Sequence, residues 1–586
     1  MVLRPLGPRA RAHFRAAADV TRTGRERLGA RGWAREARRS PGGDARARHA
    51  AARRVLPRRG AARHCGADPF HDRPPARKDP ADDCLTPHRP LQPSARLTRV
   101  DAVARAAAWV DDGRFAAELA ALVAIESESQ TPEKHPELRR YLTDAMAPRL
   151  AGMGFSCAIH DNPDPTGGPL MIAARREGEG LPTILSYGHG DVIRAQTAQW
   201  RDGLTPFRLV AEGERLYGRG TADNKGQHLI NIAALEAVLA TRGHLGFNVT
   251  LVMETSEECG SCGLAAFFEA ERAALAADVL IASDGPRLHP DTPTLFMGSR
   301  GAANFTLNVT LREGAHHSGN WGGLLADPAI ILAHAIASVT DRRGRIAIPE
   351  WRPTSLTPDI RAALAGLPVA GDDGPAIDEN WGEADQNPAE RAFGWNSFAV
   401  LAMSSGVPEA PVNAISACAS ATCQLRFVVG TDEDDILPAL RRHLDREGFA
   451  EVRIEHAGQA MFHATRLSPE HPWVRFAAAS LEATAGKPPH ILPNLAGSQP
   501  NECFSDILGL PTIWVPHSYR ACCQHAPNEH VIVPLCRDAA RVMAGLWWDV
   551  GIPGATPAAA ADADAATAAD AAATPAATPI PGHGAP

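Results

Sequence analysis

Two histidines and a set of carboxylates stand at the ends of apolar runs in this chain: His189, Asp191, Asp223, the pair Glu257-Glu258, Asp284 and, far downstream, His525. Each lies where an apolar stretch gives way to a Gly-rich or polar turn. Neutral imidazole and carboxylate oxygen are both good ligands for a zinc-like ion. Two such ions would use most of this set and leave one acid over to move protons. The chemistry to which these residues point is metal-assisted hydrolysis.

Each motif also has a plainer reading. His189, in Gly188-His189-Gly190-Asp191, could be a structural histidine. Asp191, two residues on, offers a carboxylate that could accept its second ring N–H and fix the tautomer. The stretch Gly218-Arg219-Gly220-Thr221-Ala222-Asp223-Asn224-Lys225-Gly226 is a tight turn before a helix. It lacks the Gly-Lys-Ser/Thr ending of a phosphate loop, and Asp223 reads either as a helix cap or as a ligand. Adjacent carboxylates such as Glu257-Glu258 repel unless a cation is near. In extended backbone neighbours point opposite ways, so one can bind metal while the other faces substrate. The second is the candidate general base, taking a proton from water and passing it to the leaving nitrogen. The plain alternative is a solvated turn. Asp284, in Ala282-Ser283-Asp284-Gly285, is a further strand-end acid, and His525 carries little by itself. The joint occurrence of these sites carries the metal reading.

The elements that must position them alternate. Apolar spacing predicts helices over 101–122 and 135–152, then strands at Ile184–Tyr187, Val249–Met253 and Val279–Ala282, with a helix over Leu229–Leu239. This alternation predicts an α/β sheet with helices on both faces, and ligands in such sheets gather at the carboxyl ends of strands. From about 298 the pattern changes to strands at 305–311, 423–429 and 451–455 with helices over 327–339 and 433–446. A separate α+β domain inserted into the first is expected there. The expected organisation is a basic low-complexity arm over 1–98, a catalytic domain over 99–297 and 459–550, the inserted domain over 298–458, and an Ala/Pro-rich tail over 551–586.

Composition bounds the function. Hydrophobic content of 44% and charged content of 22% are ordinary for a globular chain of 586 residues. The net charge of −7 hides an asymmetry, because residues 1–100 hold 24 Lys and Arg against 9 Asp and Glu. That arm has no aromatic-interleaved basic pattern for stacking bases and reads as disordered, so no nucleic-acid partner is expected. No run reaches the ~18 apolar residues of a bilayer span, and the N-terminus lacks the apolar core of a secretory signal. No membrane partner is expected either. Eleven cysteines without framework spacing predict reduced thiols in a cytoplasmic protein. Cys259 and Cys262 form a C-x-x-C without the second pair of a closed structural zinc site.

Taken in order, the segments Gly188-His189-Gly190-Asp191-Val192, Gly218 to Gly226, Glu257-Glu258, Ser283-Asp284-Gly285, His317-Ser318-Gly319 and His525-Ala526-Pro527-Asn528-Glu529 resemble the M20 family of di-zinc peptidases and deacylases, in particular its carnosinase-like dipeptidases. The resemblance covers roughly 100–550. It implies that Asp223 bridges two divalent ions (zinc, with manganese or cobalt as alternatives), that His189 and Asp284 complete one site, and that Glu258 and His525 complete the other. Asp191 would orient His189, and Glu257 would be the general base beside a metal-bridged hydroxide. The inserted domain would be a lid and dimerisation domain of a homodimer. His317 would reach the partner subunit's site and stabilise the oxyanion. Arg426 would bind the substrate carboxylate, and Asn413 would lie near the substrate. The implied activity is cleavage of an amide bond in a dipeptide or N-acyl amino acid with a free carboxylate. The rivals are a deacetylase, deformylase or carbamoyl hydrolase on the same fold, and an inactive binding protein. One departure stands out: the family's Gly-Gly-Ser-Ile-Pro loop resembles Ala496-Gly497-Ser498-Gln499-Pro500 here, so Gln499 is more polar than the pattern.

Overall fold

The three apolar runs that lead to candidate ligands form adjacent strands, in the spatial order Asn248–Glu254, Thr183–His189, Val279–Ala282. All three run parallel, with His189 opposite Glu254 and Ile184 opposite both Val249 and Val279. Their carboxyl ends therefore open at one edge of the sheet. The computed structural model describes residues 97–369, 375–456 and 461–557. The basic arm expected over 1–98, apart from its last two residues, and the tail beyond 557 lie outside the described residues.

The sheet continues on both sides of these strands to eight strands. On one side Leu170–Arg175 and then Ser156–His160 pair antiparallel. On the other, Thr512–Trp514 runs parallel to Val279–Ala282 and meets Thr294–Phe296 in antiparallel sense, beyond which His490–Leu492 is parallel again. The pleat sends alternate residues to opposite faces. Ile184, Val249, Leu251 and Ile281 pack with Trp109, Leu229 and Trp547 from the helices Arg99–Asp111, Lys225–Arg242 and Val533–Val550. Leu185, Val252 and Leu280 pack on the opposite face with Phe267, Phe268 and Phe504. Strands buried on both faces read as unbroken apolar runs rather than as alternation, which is how these runs look in the sequence. The fold is a mixed α/β sheet with helices on both faces.

A second sheet has four antiparallel strands in the order Ser397–Ser405, Cys418–Phe427, Gly301–Thr310, Val452–His456. Helices Pro328–Val339 and Ile436–Arg446 bury Leu332, Val339, Leu440 and Leu444 against Phe305, Leu307, Cys423 and Leu425. The edge strand Ser397–Ser405 has no counterpart in the sequence expectations. Its run Phe398 to Met403 lacks period-two alternation, and a bulge between Val400 and Ala402 shifts its register.

The helix expected over 101–122 is two helices, Arg99–Asp111 and Arg114–Val123. Gly113 breaks them at φ 83°, a left-handed conformation that glycine takes without a steric penalty. Apolar spacing runs through the break because Trp109 and Phe115 pack across it, ring centroids 5.2 Å apart. The helical path over 135–152 has a π-helical turn at Tyr141–Met146 in its middle. Among the described residues no helix is long and apolar enough to cross a membrane.

Candidate metal centre

Strand ends deliver most of the site. His189 is the last residue of its strand, Glu257-Glu258 follow the strand ending at Glu254, and Asp284 lies two residues past Ala282. Asp223 comes from the turn before the helix Lys225–Arg242, and His525 from the loop before the short strand His530–Ile532. His189, Asp223 and Asp284 are buried, whereas the His525 side chain is 55% exposed.

The two oxygens of Asp223 face different histidines. Oδ1 is 3.0 Å from His189 Nε2, and Oδ2 is 2.9 Å from His525 Nε2. His189 Nε2 also lies 3.7 Å from Asp284 Oδ2, and His525 Nε2 lies 3.0 Å from Glu258 Oε2. Two groups of ligand atoms result, His189-Asp223-Asp284 and Asp223-Glu258-His525, each with its atoms within 4.8 Å of one another and both sharing Asp223. The helix-cap reading of Asp223 does not hold: Asn224 occupies the N-cap position, and its amide donates instead to the Ser283 carbonyl at 2.8 Å. The Asp223–Asn224 peptide bond is cis.

Asp191 sits against the Nδ1 edge of His189. His189 Nδ1 is 3.1 Å from the Asp191 backbone carbonyl and 3.5 Å from the carboxylate. The ring N–H at Nδ1 thus goes to the carbonyl, and Nε2 faces Asp223. The Asp191 carboxylate accepts the backbone N–H groups of Glu257 at 3.2 Å and Glu258 at 3.1 Å. It therefore holds the acidic turn against the histidine.

The two glutamates diverge. Glu258 turns to His525, while Glu257 lines a cavity of about 470 Å³ together with Asp223, Asp284 and His525. Glu257 Oε2 stands 4.0 Å from His189 Nε2.

The electrostatics of this cluster suit cations. Asp223, Glu257, Glu258 and Asp284 pair only with imidazoles among the described residues. Burial, followed by the charge of Asp223, raises the Glu258 carboxyl to about 7 and that of Asp284 to about 6. Burial holds Glu257 well above the usual range; His189 opposes this, and Glu258 and Asp284 add to it. Burial disfavours charge on His525, but its hydrogen bonds to Asp223 and Glu258 outweigh that and lift it to about 11. Protons on the imidazoles thus offset a surplus of buried negative charge. Nitrogen and oxygen donors around such a surplus are what a pair of divalent ions requires.

Of the residues expected to meet substrate, Arg426 lines the same cavity and donates from Nη1 to Ser498 Oγ at 2.9 Å. Gln499 lines it too, 2% exposed, and neither of its amide atoms has a hydrogen-bond partner among the described residues. His317 and Asn413 lie elsewhere, exposed in the four-stranded domain. Gly319 N–H donates to His317 Nδ1 at 3.0 Å, and Ser318 N–H to the Asn413 carbonyl at 2.9 Å. Neither lines this cavity. Cys523 does line it, while Cys262 Sγ lies 3.5 Å from the Cys259 carbonyl.

Two contacts to Asp223 went unread in the sequence. Gln524 Nε2 donates to Oδ2 at 2.6 Å, and buried Glu529 accepts the Asp223 backbone N–H at 3.1 Å. A carboxylate directly before an apolar strand was the available signal for Glu529. Gln524 carried none.

The family model for Peptidase family M20/M25/M40 matches residues 185–549. The chain belongs to this family. Among its relatives, the cysteinylglycine-S-conjugate dipeptidase of Corynebacterium striatum is 31% identical over 325 residues, 53% of this chain and 68% of that protein. The Beta-Ala-His dipeptidase of Mus musculus is 35% identical over 242 residues, 39% of this chain and 48% of that protein, so the match spans about half the mouse protein's length. The crystal structure of human carnosine dipeptidase 1 shares the fold with a TM-score of 0.64 at 21% identity, covering 77% of this chain and 98% of that one.

Proposed function

We propose that this M20 family member is a two-metal hydrolase of dipeptides or N-acyl amino acids that carry a free carboxylate. The observation that carries the proposal is Asp223, with one oxygen directed to each of two ligand groups. When bound, two divalent ions, zinc foremost, supply Lewis acidity that polarises the scissile carbonyl and acidifies a water. His189 and Asp284 complete the ligands of one ion, and Glu258 and His525 those of the other. Glu257 takes the water's proton and delivers it to the leaving nitrogen. Its place in the cavity wall, beside Asp223, Asp284 and His525, supports that role.

Arg426 takes the substrate carboxylate. Its guanidinium has no carboxylate partner among the described residues and can pair with both oxygens at once. Small substrates agree with the dipeptidases among the relatives.

The four-stranded domain is the dimerisation face in this proposal. Its edge strand Ser397–Ser405 exposes Val400, Leu401 and Met403, a surface that invites pairing with another chain. His317 and Asn413 would then serve the partner's cavity, with His317 donating to the developing oxyanion. The described cysteines form no disulfide, which agrees with a reducing, cytoplasmic setting.

Assay of the zinc-loaded protein against dipeptides, their C-terminal amides and N-acyl amino acids tests the reaction class. Turnover is expected on substrates with a free carboxylate, with at least ~10-fold loss in kcat/KM on amidation, about 1.4 kcal/mol. Equal turnover of acids and amides would remove Arg426 from its role, and no turnover on any member of the panel would overturn the proposal.

A further inference from the structure

The most heavily bonded carboxylate near the metal centre belongs to a residue with no part in the chemistry above. Glu529 is fully buried. Its Oε1 accepts the backbone N–H of Ala222 at 2.9 Å and of Asp223 at 3.1 Å. Its Oε2 accepts Arg219 Nη1 at 2.8 Å and the Gly220 N–H at 3.1 Å. Its backbone carbonyl accepts the Gly218 N–H at 3.0 Å. Glu529 thus grips the turn from Gly218 to Asp223 along its length.

We propose that Glu529 is the positioning residue of the metal centre, fixing Asp223 and His525 relative to each other so that the second ion, held by Asp223, Glu258 and His525, can bind. The inference rests on the two-ion reading.

Three observations support it. First, Asp223 must present its two oxygens in two directions, and its backbone N–H and that of Ala222 are pinned by the same oxygen of Glu529. Second, His525 lies four residues before Glu529 in one segment, so docking Glu529 on the turn also sets the reach of His525 to Asp223 Oδ2. That segment has left-handed backbone at three non-glycine residues, Cys523 at φ 58°, His525 at 59° and Asn528 at 65°. Such conformations persist where surrounding contacts over-determine them. Third, the donor set specifies a carboxylate. Three N–H groups and a guanidinium converge on it, and a carboxylate is acceptor-only at both oxygens. Arg219 is 1% exposed and its sole ionic partner among the described residues is Glu529. A pair buried only for stability gains little over apolar side chains of the same size, whereas a pair that aims a ligand has a use for its geometry.

The other two ligands of the first ion, His189 and Asp284, are held separately, by their strand ends and, for His189, by the Asp191 carbonyl. Asp223 is common to both ligand groups and His525 belongs to the second alone, so loss of Glu529 should weaken the second ion more than the first.

The test is zinc titration of the full chain against a competing chelator, on wild type, Glu529→Gln and Glu529→Asp, with thermal unfolding of the metal-free proteins as the control for folding. The amide of Glu529→Gln turns a donor toward donors. The aspartate keeps the charge beside Arg219 but is one methylene too short to reach both ends of the turn. Expected is a second-ion affinity lowered by about 10–100-fold, as for other groups that orient ligands, with the first ion weakened less and activity recovered at raised zinc. Wild-type affinities for both ions in folded variants would overturn the proposal, as would equal weakening of both ions. If Glu529→Gln does not fold, Glu529→Asp decides by the same readout. If neither folds, Glu529 is a folding residue and the proposal falls. Wild type binding a single ion would instead refute the two-ion reading itself.

Discussion

The Asp191 carboxylate accepts the backbone N–H of Glu257 at 3.2 Å, while its own carbonyl takes the ring N–H of His189 at 3.1 Å. One residue thus ties His189 on one strand to the acidic turn that follows the neighbouring strand. Replacement by alanine leaves the N–H groups of Glu257 and Glu258 without this acceptor and frees the turn. Asp191→Ala is expected to lower both zinc affinity and kcat by about 10–100-fold. Zinc titration and steady-state kinetics check this, and a change in kcat without a change in metal affinity would confine Asp191 to the glutamate turn.

Glu257 and Glu258 are neighbours with different tasks. Glu257→Gln preserves the size of the side chain and removes its proton affinity. It should retain the wild-type metal content and lose about 10²–10⁴-fold in kcat. Near-normal turnover would remove Glu257 as the base. Loss of metal with turnover would make it a ligand.

His317 lies outside its own chain's cavity, so a two-subunit site makes a distinctive prediction. Neither Glu257→Gln nor His317→Ala alone should turn over well. Mixed and allowed to exchange subunits, they should recover about a quarter of wild-type activity, because half of the dimers are mixed and each has one intact site. No recovery despite demonstrated exchange would contradict the trans role.

Glu502 offers a test of stability away from the metals. Burial raises its carboxyl to about 8, and its Oε2 has no hydrogen-bond partner among the described residues. The folded protein keeps this proton, whereas the unfolded chain releases it near 4.5. Its contribution to stability is therefore greatest below about 4.5, declines as pH rises to about 8, and is level beyond. Glu502→Gln should melt higher than wild type at pH 8 and alike at pH 4.5 in metal-free protein. An equal difference at both pH values would contradict the assignment.

Much of this was legible in the sequence for local reasons. The strands ending at His189 and Ala282 and the one leading to Glu257 are buried on both faces, so their apolar runs stand out and their ends mark the candidate ligands. The edge strand Ser397–Ser405 was not, because an exposed strand with a bulge carries no alternation. Gly113 was passed over because the apolar spacing continues across it. Asp191 was read through its spacing from His189, but spacing does not tell which of its oxygens meets the ring. Glu529 acts on backbone N–H groups 306 to 309 residues away, and no short-range pattern encodes that.

The account turns on Asp223 serving two ions. Elemental analysis of the zinc-loaded, desalted protein measures this directly. Two zinc ions per chain are expected in wild type, falling to one or fewer in Asp223→Asn. A wild-type content of one ion per chain, or two ions retained by Asp223→Asn, would contradict it.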